Sequence, residues 1–280
     1  MAWRLRIHHT TRVRYSEAAR ASYNEVRMTP RSLPRQTTLE AAVTVGRDAP
    51  VWTYRDYWGT TVSAFDIQDP HEELAIEARS TVETLRARPP LRPLSWDGLR
   101  ERASAGRLLE YLAPTELAAV SADLAAAARE RVAGADPRET AGTIADWVTE
   151  RVDYVPGSTG VATSAQEAWD KGQGVCQDIA HLTVALLREA GLPARYVSGY
   201  LHPDPAAEPG GTVTGQSHAW VEYWTGEWAA SDPTNRAEVG ERHVVVARGR
   251  DYSDVPPLKG IYQGPAASTM AVTVEVERLA

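Results

Sequence analysis

The chain has 280 residues and a single cysteine, Cys176. It can form no internal disulfide, and it lacks the paired spacings that a zinc site draws on. That scarcity fits a reducing, cytoplasmic setting. Lysine is almost as rare: Lys171 and Lys259 are the only two, so arginine carries nearly all the positive charge. The net charge is −7 and no basic block is present, which argues against a nucleic-acid partner. No apolar run is long enough to span a membrane. The opening MAWRLRIHHTTRVRY lacks the apolar segment of a secretory signal. No motif calls for a cofactor or a metal. What is present is ample core material: 43% of residues are hydrophobic, enough for one or two folded domains.

Period-two alternation dominates the first third. Trp3, Leu5 and Ile7 alternate with Arg4, Arg6 and His8, and strand patterns recur at 38–45, 51–57 and 60–67. Residues 74–84 have helix-compatible composition, yet Leu74, Ile76, Ala78, Ser80 and Val82 alternate with charged or polar neighbours, so they read as a strand. Clustered prolines at Arg88–Pro93 suggest a linker. Helix signals follow. Thr115 is placed to cap a helix to about Arg131. Asp136-Pro137 with Glu139 opens another, and Ser164 with Glu167 a third. Strands return at 195–201, 217–224, 227–230, 243–248 and 269–278, with a Pro/Gly-rich loop at 202–216 of the kind that borders a site. The expected architecture is α+β. An antiparallel β-sandwich-like domain occupies 1–88 and a second domain 89–280, with its core at about 137–235 and C-terminal strands within 243–279.

The chemistry centres on KGQGVCQDIAHLTVALLREAGLPARYVSGY, residues 171–200. Two glycines precede Cys176, and Ile179, Leu182, Thr183, Leu186 and Leu187 then share one helical face. Cys176 is thus expected in the first turn of a buried helix. Free N–H groups and the positive dipole end there favour charged sulfur and can hold an oxyanion. A thiol nucleophile also needs a base, and the base needs an orienting group. The strand Ser217–Trp224 puts His218, Trp220, Glu222 and Trp224 on one face. Asp232 lies fourteen residues beyond His218, across a turn, where it can orient the imidazole. His181 lies about 140° around the helix from Cys176 and is poorly placed as base. Asp178 reads as a residue serving the helix end. His8, His9, His71, His202 and His243 lack a nearby constellation and read as surface or core residues. Tyr154 and Gln173 are either oxyanion donors or packing residues. Trp220, Trp224 and Trp228 either line an acyl-binding cleft or fill the core beneath the sheet.

Gly-Val-Cys-Gln-Asp with GLPARYVSGY, then SHAWVEYW, then SDPTN, resembles the bacterial transglutaminase-like superfamily. NEVRMTPRSLPRQ (24–36), DYWGTTVSAFDI (56–67) and HVVVARGRDYSDVPPLKGIYQG (243–264) extend the resemblance over nearly the whole chain. It implies a papain-like α+β catalytic domain carrying a Cys176–His218–Asp232 triad, preceded by a bacterial transglutaminase-like β domain. The implied activity is acyl transfer from amide or peptide bonds through a thioester, as a peptidase, an amidase or a transglutaminase-like enzyme. The expected partner is a peptide, a protein or another amide-containing substrate. The family often has an aromatic-Gly-Asn turn where this chain has Trp58-Gly59-Thr60. The tryptophan that follows the nucleophile in animal-type transglutaminases is Gln177 here, which weakens the inference to protein cross-linking. The alternative is a catalytically silent scaffold that binds peptides through the edge strands of its β domain.

Overall fold

The computed structural model describes residues 2–46, 49–86, 93–103, 106–264 and 267–280. Strands β1 (Ala2–Ala19), β2 (Ala21–Val26), β3 (Gln36–Val45), β4 (Trp52–Arg55), β5 (Thr61–Ile67) and β6 (His71–Leu85) come first. Then follow α1 (Trp96–Ala103), α2 (Ala122–Arg131), α3 (Pro137–Arg151), β7 (Asp153–Tyr154), α4 (Ala165–Lys171), β8 (Gln173–Gly174) and α5 (Cys176–Glu189). The chain closes with β9 (Ala194–Leu201), β10 (Thr212–Thr214), β11 (Gln216–Trp224), β12 (Trp228–Asp232), β13 (Ala237–Glu238), β14 (His243–Gly249), β15 (Leu258–Gln263) and β16 (Ser268–Arg278). The expected linker at Arg88–Pro93 lies, Pro93 apart, outside the described residues.

The strand pattern at 74–84 falls within β6, where tertiary pairing overrides a helix-compatible composition. Two sheets, β10-β16-β1-β6-β3 and β15-β2-β5-β4, face each other as a sandwich. Val13, Leu74 and Ile76 from one sheet meet Val26, Phe65 and Ile67 from the other. The other half of β1 turns a second way. Its Trp3, Leu5 and Ile7 join the core that contains α5. One long strand therefore contributes to both cores.

The C-terminal strands depart from the sequence-based division. β15 pairs with β2 and β16 with β1, Leu5 lying opposite Arg278. They complete the sheets of the N-terminal sandwich, whereas the division at residue 88 put them in the second domain. Chain order does not determine sheet membership, because strand pairing is satisfied by whichever edge lies open. The 202–216 loop likewise contains β10, which pairs with β16.

α3 and α4 begin at the expected capping boxes. Asp136 accepts from the N–H groups of Arg138 and Glu139 at 2.7 and 2.9 Å, and the Glu139 carboxylate accepts from Asp136 N at 3.0 Å. α2 starts later than Thr115. Its cap is Ser121, whose hydroxyl accepts from Leu124 N at 3.3 Å. The Thr115 hydroxyl accepts from Ala118 N and bonds the Asp251 carboxylate, while Leu117 O and Ser121 N bond to Ala165 N and the Gln166 side chain. Those tertiary bonds hold 115–121 in a turn.

α5 differs from the one-faced pattern, since residues 178–188 are buried on every side. Several of its polar groups are bonded inside the protein. Thr183 donates to Ile179 O at 2.7 Å, and the Arg188 guanidinium donates to the carbonyls of Tyr111, Ala113, Ala194 and Arg250. Burial also acts on two histidines. His9 of β1 packs against Tyr200 and Thr11 at 2.9 and 3.1 Å, and His181 Nε2 accepts from Tyr252 N at 3.0 Å. Burial lowers both from 6.5 to about 4; the nearby His8 also lowers His9, and Asp251 partly opposes the effect on His181. In the unfolded chain they bind protons near pH 6.5, so the native state binds fewer protons below that pH. Their stabilising contribution is present above pH 6.5 and is lost as pH falls through about 4. Thermal melts are expected to show stability falling over this interval. His9→Gln should flatten the slope, removing an effect of at most roughly 3 kcal/mol.

Candidate active site

Cys176 is the first residue of α5 and only partly buried. The approach to it is built by close backbone packing. Gly172 ends α4 with φ +67°, in the left-handed region that glycine favours. Gly174 passes so near Asp178 that a Cβ there would meet the Asp178 Cβ at 2.8 Å. Asp178 is fully buried. Its Oδ2 accepts from Val175 N at 2.7 Å and from the Thr159 hydroxyl at 2.5 Å, tying the 155–163 loop to the helix start. Burial pushes the Asp178 carboxyl up, against those hydrogen bonds. Asp178 N and Ile179 N both donate to Val175 O, at 3.0 and 3.1 Å. The N–H groups of Cys176 and Gln177 precede the intrahelical ladder, as the first donors of any helix do, and face the end where an oxyanion would form.

The sheet that carries His218 and Asp232 has the order β13-β12-β11-β9-β14. Ala219 and Val221 of β11 belong to the core that contains α5, whereas Trp220, two residues from His218, packs with Val197 and Val245 in a separate cluster. His218 Nε2 lies 2.8 Å from Asp232 Oδ2, and both groups are buried. Asn235 Nδ2 lies 3.2 Å from the same nitrogen, and Cys176 is near enough to act on the ring. With Nε2 committed to Asp232, Nδ1 is the nitrogen left for the thiol. Burial pulls the His218 pKa down, but the bond to Asp232 and the nearness of Cys176, with their charges, prevail and raise it to about 9. The ring is therefore protonated at neutral pH and supplies the counter-charge that a thiolate needs.

Asp232 has further donors. Asn235 Nδ2 and His243 Nε2 reach the same Oδ2 at 2.7 and 3.1 Å, and Asn235 N reaches Oδ1 at 3.2 Å. Burial alone would push this carboxyl up. The hydrogen bonds of His218, His243 and Asn235, with the His218 charge, hold it well below the usual carboxylate range. Behind the pair, Glu222 of β11 is clamped between Arg195 of β9 and Arg248 of β14, at 2.5 and 2.6 Å. Burial opposes its ionisation, but the two guanidiniums keep its pKa low. This ion triad ties β9 to β11 and β14, the strands that carry His218 and His243.

Profile comparison matches residues 125–233 to the Transglutaminase-like superfamily and residues 5–83 to the Bacterial transglutaminase-like N-terminal region. The chain belongs to the transglutaminase-like superfamily. An uncharacterized Mycobacterium leprae protein is 45% identical over 278 residues, covering 99% of this chain and 100% of the relative. An uncharacterized Mycobacterium tuberculosis protein is 35% identical over 297 residues, covering 98% and 92%. A protein-glutamine gamma-glutamyltransferase of Pseudomonas aeruginosa is 33% identical over 120 residues, only 39% of this chain and 18% of that one. The crystal structure of a candidate cysteine protease from Cytophaga hutchinsonii superposes with a TM-score of 0.80 at 23% identity, covering 100% and 92% of the two chains. That likeness shows the superfamily fold.

Within this superfamily fold His218 bonds Asp232, and Cys176 lies near enough to act on the same ring. Tyr154 lies beside them: it pairs with Gly174, is 46% exposed, and its phenol is pushed up by burial and by the nearby Cys176. Gln173 pairs with Asp153 next to the cysteine loop, and among the described residues its side chain has no hydrogen bond to the triad. Trp220 is a correction. It is 0% exposed, stacks beside His218 at 6.0 Å and meets His243 edge-on at 5.3 Å, so it cannot touch a substrate. Strand alternation identified its face but not what covers that face. Trp224 is core as well, and Trp228 carries the Arg195 guanidinium at 3.7 Å.

His243 is the second correction. The sequence places it among surface or core residues, yet it reaches the buried Asp232 carboxylate. Asn235 was missed in the same way, although SDPTN already carried it three residues beyond Asp232. His218, Asp232 and His243 converge closely enough to suggest metal ligands. The polarity of His243 decides otherwise. Gly240 N donates to its Nδ1 at 3.2 Å, so the proton sits on Nε2, which then donates to Asp232 and offers no lone pair.

Proposed function

We propose that this chain is a cysteine-dependent acyl-transfer enzyme that acts on amide or peptide bonds through a thioester. The supporting observation is the buried 2.8 Å His218–Asp232 pair, with Cys176 near enough to act on the same imidazole. In this reading the Cys176 sulfur attacks the acyl carbon, and the carbonyl electron pair moves onto oxygen. The N–H groups at the start of α5 hold that oxyanion. Collapse of the adduct expels the amine, which takes its proton from His218, and leaves the thioester. Water or a second amine then gives a proton to His218 and attacks, releasing the thiolate.

Hydrolysis is the first reading, because no pocket specific for an amine acceptor is evident among the described residues. Transfer is the second, supported by the partial likeness to a protein-glutamine gamma-glutamyltransferase. The substrate is a peptide, a protein or another amide. A thiol that must stay reduced suits the cytoplasm, and among the described residues no helix is long and apolar enough to cross a membrane. Mass spectrometry of the protein incubated with peptide libraries tests the proposal. An acyl adduct confined to Cys176 is expected, discharged by water in the hydrolytic case and faster by added amines in the transfer case. If Cys176 stays unmodified across libraries while peptides bind, the reading is wrong and the protein is a scaffold.

A further inference from the structure

We propose that His243 is a positioning residue for Asp232, and that the N-terminal sandwich contributes to catalysis by gripping the strand that carries it. This rests on the enzyme reading above. His243 opens β14, the edge strand of the catalytic sheet, and its side chain is 1% exposed. Its ring is oriented from both ends. Gly240 N donates to Nδ1 at 3.2 Å, so Nε2–H points at Asp232 Oδ2, 3.1 Å away. The charged and titratable groups acting on the ring are Asp232 from β12, His218 from β11 and Arg242 beside it in the chain. A neutral donor at this place fixes the rotation of the carboxylate without competing for its charge as a cation would.

The grip is specific and comes from the other domain. The Gln36 side-chain amide behaves as a one-residue strand partner for β14. Its oxygen accepts from Val245 N at 2.8 Å, and its nitrogen donates to Val245 O at 2.8 Å and to Arg31 O at 2.7 Å. Arg31 N donates to the same Val245 O at 3.1 Å. Two residues before His243, the Thr84 hydroxyl donates to Glu241 O at 2.5 Å. His243 is thus bracketed at 241 and 245 by residues of the sandwich. Gln36, at the end of NEVRMTPRSLPRQ, acquires a task that a surface turn would not give it.

The test measures the second-order rate of Cys176 alkylation by iodoacetamide in full-length protein, with melting temperatures and ¹⁵N-histidine NMR on every variant. His243→Leu is expected to slow alkylation about tenfold, the usual scale for losing a hydrogen bond to a charged group. It is also expected to lower the His218 titration midpoint, a change that general loosening of the fold would not produce selectively. His243→Gln, which keeps an N–H donor, should recover most of the rate. Gln36→Leu should match His243→Leu in direction, and the double variant should be no slower than the slower single, because both act through one contact. In the unaltered protein the His243 proton should be found on Nε2. A His243→Leu protein that alkylates at the unaltered rate with His218 unmoved would overturn the proposal, as would a proton on Nδ1. Additive Gln36 and His243 effects would overturn the role of the sandwich. Failure of the enzyme reading shows separately: unaltered protein would then alkylate no faster than His218→Ala, while the Nε2–H test of His243 still applies.

Discussion

Cys176→Ala is expected to abolish both iodoacetamide labelling and turnover, while the protein melts as before. The chain has no second thiol, so any residual label marks a different nucleophile. Alanine is a strong helix former and the sulfur is only partly buried at the first position of α5, so the substitution leaves the helix intact. No neighbouring group can replace the sulfur. His181 is turned to Tyr252 N, and Asp178 is occupied by Val175 N and Thr159. Removing the nucleophile of a triad costs about six orders of magnitude in turnover, which places the residue below ordinary detection. Turnover by Cys176→Ala above that level would reject the thioester route outright.

His218→Ala is expected to lower turnover about ten-thousandfold. The loss has two parts. The acid that protonates the leaving amine disappears, and so does the positive charge beside the sulfur. Unaltered turnover should hold on the alkaline side until the imidazolium loses its proton near pH 9, and that limb should vanish in the variant. The stability effect has its own sign. The folded pKa of His218 lies above the unfolded 6.5, so its contribution is complete below pH 6.5 and is lost as pH rises through about 9. The gap in melting temperature between the two proteins should therefore narrow over that interval. A gap that widened with pH would mean that His218 is neutral in the native protein.

Much of this was legible in the chain itself, for identifiable reasons. Trp3, Leu5 and Ile7 alternate because strand geometry demands it. Asp136 with Glu139 and Ser164 with Glu167 announce helix starts because their side chains bond locally. Cys176, His218 and Asp232 stand in short motifs. What stayed hidden depends on strands meeting far along the sequence. His243 reaches Asp232 only because β14 pairs with β9, β9 with β11, and β11 with β12. Nothing local to HVVVARG reports that arrangement. Trp220 alternates like an exposed site residue, yet Val197 and Val245 close over it. Thr115 had the chemistry of a helix cap, and bonds from α4 claimed its segment first.

The pairing of Leu5 with Arg278 also constrains how the molecule is made. β1 leaves the ribosome long before β16 and must keep one side open until that strand is made. An unpaired strand of 18 residues is a template for adhesion to neighbouring chains. The outward row of Arg4, Arg6, Arg12 and Arg14 gives that waiting edge a repulsive charge. Arg4, Arg6 and Arg14, which pair with Glu83, Glu277 and Glu73 in the finished sheet, stand as uncompensated like charge on that strand until its partners are made.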